Sequence, residues 1–140
     1  MDRAEIEAML HRLYAMREAN DLEGALESFA PQAIWRTVGD PGSCSVAGSH
    51  RGAALRPAMQ ALFGAFRAIA FRPTALLIDG DRAVATVRAE LVFTPTGERI
   101  NTEIAHVWSF ADGKVTAVDE FLDTALAARL LAGQPGTQPA

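Results

Sequence analysis

The sequence has little of what several protein classes depend on. Of its 140 residues a single one, Cys44, is cysteine, which excludes an internal disulfide and a thiolate metal cluster. There are three histidines, and no two are spaced as ligands on one helix or strand, so no metal is expected. Thirteen Lys+Arg against 17 Asp+Glu, with no basic cluster, leave no electrostatic footprint for nucleic acid. No apolar run approaches the roughly 18–20 residues of a membrane span, so no membrane association is expected. Met1-Asp2-Arg3-Ala4-Glu5 lacks the apolar stretch of a signal peptide, so the expected location is cytoplasmic.

What is present is the raw material of one domain. The chain is 49% hydrophobic and 15.0 kDa, a length at which single domains are commonest. The spacing predicts a helix over 2–19: Asp2 and Glu5 form a capping box, and Ile6, Met9, Leu10, Leu13 and Met16 share a stripe. Asp21 can cap a second helix carrying Leu22, Ala25, Leu26 and Phe29 and ended by Pro31. Residues 33–37 read as a short strand and 38–52 as a loop. A third helix places Leu55, Met59, Leu62, Phe63 and Phe66 on one face, with Pro57 in its first turn or two. Four runs at about 69–78, 82–93, 99–110 and 115–122 are separated by Asp79-Gly80, Pro95-Thr96-Gly97 and Asp112-Gly113, the pattern of an antiparallel meander. A short helix over 124–132 follows, and 133–140 reads as a flexible tail after a single domain, 1–132.

Helices segregated from an antiparallel sheet make an α+β domain. A strongly curved sheet wrapped around three helices leaves a cavity at its open end. Alternation on 99–110 sends Ile100, Thr102, Ile104, His106, Trp108 and Phe110 toward the helices. On the last strand, a three-residue turn 111–113 would face Val118, Glu120 and Leu122 inward, with Val118 opposite His106 and Glu120 diagonal to it. A two-residue turn would bring in Asp119 instead. Either register directs a carboxylate toward His106, and an imidazole and a carboxylate in one dry pocket can divide acid and base roles. A lone inward histidine is commonly a hydrogen-bonded core residue, but an inward acid beside it is rare unless paired or functional. On 82–93 the pattern sends Ala83, Ala85, Val87, Ala89, Leu91 and Phe93 inward and leaves Arg88 and Glu90 as a solvated or interface pair.

Several segments carry a family resemblance: Asn20-Asp21-Leu22-Glu23, Phe29-Ala30-Pro31-Gln32-Ala33-Ile34-Trp35, Gly48 to Gly52, Asp112-Gly113-Lys114-Val115 and Glu120-Phe121-Leu122-Asp123. Over about 5–125 the chain resembles the nuclear-transport-factor-two-like superfamily, which includes ketosteroid isomerase, the SnoaL-like polyketide cyclases, scytalone dehydratase and limonene-1,2-epoxide hydrolase. The resemblance implies a cone-shaped fold with an apolar pocket, cofactor-independent chemistry, and a homodimer formed through the outer sheet face. Set beside ketosteroid isomerase, Tyr14 lies one residue from the tyrosine position and His106 takes the hydrogen-bond-donor position. Thr37 stands where the aspartate base belongs, with Asp40 following in the loop. Because Thr37 cannot abstract a carbon-bound proton, plain ketosteroid isomerase chemistry is excluded. Set beside limonene-epoxide hydrolase, Arg88-Ala89-Glu90 and Glu120 resemble its water-activating charges, and Trp35-Arg36-Thr37 its water holders.

The candidate catalytic residues are therefore His106 and Glu120, with Arg88 and Glu90 implied by the hydrolase resemblance. The candidate pocket wall comprises Tyr14, Trp35, Thr37, Asp40, Ile104, Trp108, Val118 and Leu122. The expected partner is a small apolar molecule. Two classes of function fit: an acid/base enzyme of isomerase, hydrolase, dehydratase or cyclase type, and a non-catalytic ligand-binding or dimerisation domain.

Overall fold

A computed structural model describes residues 1–132; the expected tail, 133–140, lies outside the described residues. Helix α1 spans Arg3–Glu18 and begins at the expected capping box: Asp2 accepts from the Glu5 N–H, and Glu5 accepts from the Asp2 N–H. Helix α2 spans Leu22–Glu27 behind its Asp21 cap. It stops earlier than the apolar spacing suggests, because Phe29 opens strand β1, Phe29–Thr37. Pro31 lies inside that strand rather than ending the helix. The neighbouring β6 pairing is irregular between Phe29 and Ile34, where a missing N–H is tolerated. The expected loop at 38–52 contains strand β2, Gly48–Arg51, paired antiparallel to β1. A single 3-10 turn leads into α3, Leu55–Ala65, with Pro57 in its first turn. Phe66 belongs to the next strand rather than to α3.

The meander forms as expected: β3 Phe66–Asp79, β4 Arg82–Phe93, β5 Glu98–Ala111 and β6 Lys114–Phe121, followed by α4 Thr124–Leu131. These strands join one curved, unclosed six-stranded sheet ordered β2-β1-β6-β5-β4-β3. All neighbours are antiparallel except β1 and β6, which run parallel. That pairing puts β6 near the middle of the sheet, between β1 and β5.

The β5–β6 hairpin departs from both expected registers. Asp112 and Gly113 both have positive φ, and Ala111 pairs with Lys114 across this two-residue turn. A regular ladder from that turn would set His106 against Asp119. Instead the register shifts between Ser109 and Phe110: Phe110 pairs with Val115 but Ser109 with Ala117, leaving Thr116 as an extra residue. From there on His106 lies directly opposite Glu120.

The core fills the concave side of the sheet. The inward residues of β4 (Ala83, Ala85, Val87, Ala89, Leu91, Phe93) are buried, as alternation requires, against Ile6, Leu10 and Leu13 of α1 and Phe63 of α3. Phe93, among the largest fully buried side chains, packs 5.2 Å from the Phe66 ring. Truncating it should leave a cavity and lower the unfolding free energy by about 3–5 kcal/mol. Urea denaturation of Phe93→Ala checks this, with a loss below about 1 kcal/mol contradicting the core assignment.

Candidate active site

The concave face ends in a cavity of about 100 Å³. Apolar side chains make most of its wall, among them Met59, Phe63, Leu91, Ile100 and Leu130. Its central polar groups come from four elements. Glu120 enters from β6, flanked across the ladders by His106 of β5 and Thr37 of β1. Tyr14 and Arg17 enter from α1. His106 and Glu120 are 2% and 4% exposed, so the pair is removed from bulk water.

A continuous chain of hydrogen bonds joins these groups. Trp108 Nε1 lies 2.9 Å from the Tyr14 hydroxyl, that hydroxyl 2.7 Å from His106 Nδ1, and His106 Nε2 2.8 Å from Glu120 Oε2. The proton order follows from what each group can do. An indole N–H can only donate, so the Tyr14 oxygen accepts from Trp108. The single phenolic proton then has His106 Nδ1 as its acceptor, which leaves Nε2–H to donate to the Glu120 carboxylate. Burial, opposed by the Trp108 bond and reinforced by the Glu120 charge, pushes the Tyr14 phenol well above its usual range. Tyr14 therefore keeps its proton. The far carboxylate oxygen, Glu120 Oε1, is buried and has no hydrogen-bond partner among the described residues.

Aromatic packing fixes the imidazole plane. Tyr14 lies 5.6 Å from the His106 ring and nearly parallel to it, Phe71 lies 6.4 Å away at 29°, and Trp35 and Trp108 meet it edge-on.

The structure sorts the candidate residues. Tyr14, Trp35, Thr37, Ile104, His106, Trp108, Glu120 and Leu122 all line the cavity. Val118 is fully buried between Trp35 and Trp108 across the ladders and stays in the core behind the wall. Asp40 is exposed in its loop, where it accepts from the Gly42 N–H and the Ser43 hydroxyl. Arg88 and Glu90 lie on the outer face of the sheet, as the β4 alternation had indicated. Arg88 reaches Glu103 at 3.3 Å and Glu90 reaches Arg99 at 3.8 Å. The charged constellation implied by the hydrolase resemblance therefore does not assemble. Asp119 likewise turns outward and binds Arg36 at 2.9 Å.

Sequence reasoning missed Arg17. It is 8% exposed, bonds the Phe66 carbonyl at 2.6 Å and Asn20 at 3.4 Å, and lies over the Phe63 and Phe71 rings. Burial lowers its pKa to about 10, partly offset by the charge of Glu120, so it remains a cation at neutral pH. The signal was available: continuing the helix stripe from Leu10 and Leu13 by seven and four leads to Arg17, whereas Met16 is only half-buried.

A family model described as a SnoaL-like domain matches residues 10–118. The fold is similar to a nuclear-transport-factor-two-like protein of unknown function from Burkholderia pseudomallei, at 19% identity over 95% of this chain and all of that one (TM-score 0.80). A candidate isomerase from Bacillus subtilis aligns at 16% identity over 96% of this chain and 98% of that one (TM-score 0.81). TerC, crystallised with polyporic acid, aligns at 25% identity over 91% of this chain and 97% of that one (TM-score 0.76). No curated protein matches the chain.

The hydrogen-bond chain makes a quantitative demand on Tyr14. Replacing it with Phe leaves a buried indole N–H without an acceptor and His106 Nδ1 without a donor, at about 1–3 kcal/mol per orphaned group. Equilibrium unfolding of Tyr14→Phe should show a loss of about 2–6 kcal/mol for the two groups together. A neutral result would mean that the buried hydroxyl does not bridge the two rings.

Proposed function

The chain belongs to the SnoaL-like domain family, and on that premise we propose that it is an enzyme using general acid/base chemistry on a small apolar molecule held in the cavity. One observation carries the reading: Glu120, which belongs to the mostly apolar cavity lining, has one carboxylate oxygen fixed by His106 and the other, Oε1, buried without a hydrogen-bond partner among the described residues. Buried polar atoms without partners are rare, and they concentrate where a ligand completes the bonding.

In this reading Glu120 Oε1 takes a proton from the substrate, and His106 Nε2–H holds the opposite oxygen so that Oε1 keeps one direction. Proton acceptance breaks the substrate X–H bond and leaves its electron pair on the substrate. Glu120, now neutral, returns the proton to the same molecule at a second atom or to a leaving group. Isomerisation, dehydration and cyclisation all contain such a transfer, and general acid/base groups typically contribute about 10²–10⁴-fold. Tyr14 and Trp108 act through His106 and are positioning residues.

The expected homodimer remains part of the proposal. Leu77 and Val84 are cross-strand neighbours on the outer face and, with Phe121, are exposed. Their contact with a second copy would cover apolar surface.

Turnover is tested by offering the purified protein a panel of enolisable cyclic ketones, hydroxy ketones and epoxides in deuterated water, with mass spectrometry of the products. Glu120→Gln should lower kcat/KM for any substrate found by about 10²-fold or more, while Arg88→Ala, on the outer face, should leave it unchanged. Undiminished turnover by Glu120→Gln would remove the catalytic reading. Binding of panel compounds with no turnover would favour the ligand-binding class.

A further inference from the structure

Arg17 is a buried cation that the proton chain does not use. A guanidinium carries five N–H donors. Two nitrogens of Arg17 reach protein acceptors, Nη2 the Phe66 carbonyl and Nη1 the Asn20 side-chain oxygen. Its remaining N–H groups have no acceptor among the described residues, and Arg17 forms no ion pair there. The guanidinium carbon lies over the Phe63 and Phe71 rings, 4.4 and 5.1 Å from their centroids, and these contacts with the two hydrogen bonds restrain it. It lines the same cavity as Glu120.

We propose that Arg17 is the anion-holding residue of this cavity, selecting apolar molecules that carry an acidic oxygen (a carboxylate, enol or phenol). The inference rests on reading the cavity as a small-molecule site. The protein uses two of the guanidinium nitrogens and leaves part of the planar fork free, and such a fork pairs best with oxygens that carry negative charge. The apolar wall takes the body of the ligand. Glu120 lines the same cavity, so the protein's own carboxylate opposes a ligand anion while Arg17 attracts it. Where the acidic oxygen gains its charge only as Glu120 takes up the proton, that opposition vanishes. An enol or phenol is therefore suited to both groups at once.

The test uses the chain's two tryptophans, Trp35 and Trp108, which both line the cavity and report occupancy by quenching. The probes are naphthoate and methyl naphthyl ketone, which match in shape and differ in charge, titrated at neutral pH into the full-length protein. Naphthoate should bind at least about tenfold more tightly, the scale of a charge-assisted hydrogen bond. Arg17→Met should abolish that preference by weakening naphthoate alone, and Arg17→Lys should retain part of it. Glu120→Gln should keep or tighten naphthoate binding while losing turnover, which separates this inference from the catalytic one. Because the preference of the unmodified protein is itself diagnostic, the test stands even where Arg17→Met fails to fold. Equal affinities for the two probes, or a preference unaltered in folded Arg17→Met, would overturn the role of Arg17 and leave the cavity reading in place. Failure of both probes to bind at millimolar concentration would overturn both.

Discussion

The arrangement of the cavity depends on one cross-strand pair, His106 opposite Glu120, buried together at 2.8 Å. A carboxylate taken out of water needs a partner to replace its hydration, and removal of one member of such a pair is commonly worth several kcal/mol. The imidazole supplies one hydrogen bond and is itself held by the Tyr14 hydroxyl. The pair sits where it does because one extra residue in β6, at Thr116, reverses the side-chain alternation set by the Asp112-Gly113 turn. Without that bulge the inward acid opposite His106 would be Asp119, one methylene shorter. With it Asp119 turns out to Arg36, and Glu120 turns in.

The polar groups of the cavity divide into two sets with different physics. Trp108, Tyr14, His106 and Glu120 form a directional hydrogen-bond chain in which each proton has one acceptor. Arg17 stands apart, fixed by aromatic faces and a carbonyl rather than by an acid. Among the described residues the chain ends in an oxygen lacking a donor, and the cation keeps N–H groups beyond the two nitrogens bound to Phe66 and Asn20. In surroundings of low dielectric the unpartnered carboxylate oxygen is costly, and a single ligand with an acidic proton and an oxygen would engage both groups.

Much of the fold was legible because its signals are local and periodic. The Asp2–Glu5 capping box, the alternation of β4 and the turn at Asp112-Gly113 each specify structure within a few residues, and Asp79-Gly80 marks the β3–β4 turn to within one residue, the turn itself being Gly80-Asp81. The same alternation placed His106 inward and Arg88 and Glu90 outward, and it proved a better guide to those two charges than the hydrolase resemblance. What the sequence did not display depends on contacts between distant segments. Strand β2 exists because β1 offers it an edge, and the β6 bulge leaves no mark in composition. The inward acid was consequently narrowed to two neighbours and not to one. Arg17 was overlooked for a different reason: a charged residue on an apolar helix stripe was passed over in favour of Met16, although the helical period pointed at it.

The proton order of the buried chain is the claim that most of this account rests on, and nitrogen-15 NMR of the His106 ring tests it most directly. At neutral pH the account expects Nδ1 to be the unprotonated, hydrogen-bond-accepting nitrogen and Nε2 to carry the hydrogen directed at Glu120. A ring protonated at Nδ1 alone would reverse the chain. Glu120 would then have to be the donor to Nε2, leaving it no longer the proton acceptor described here.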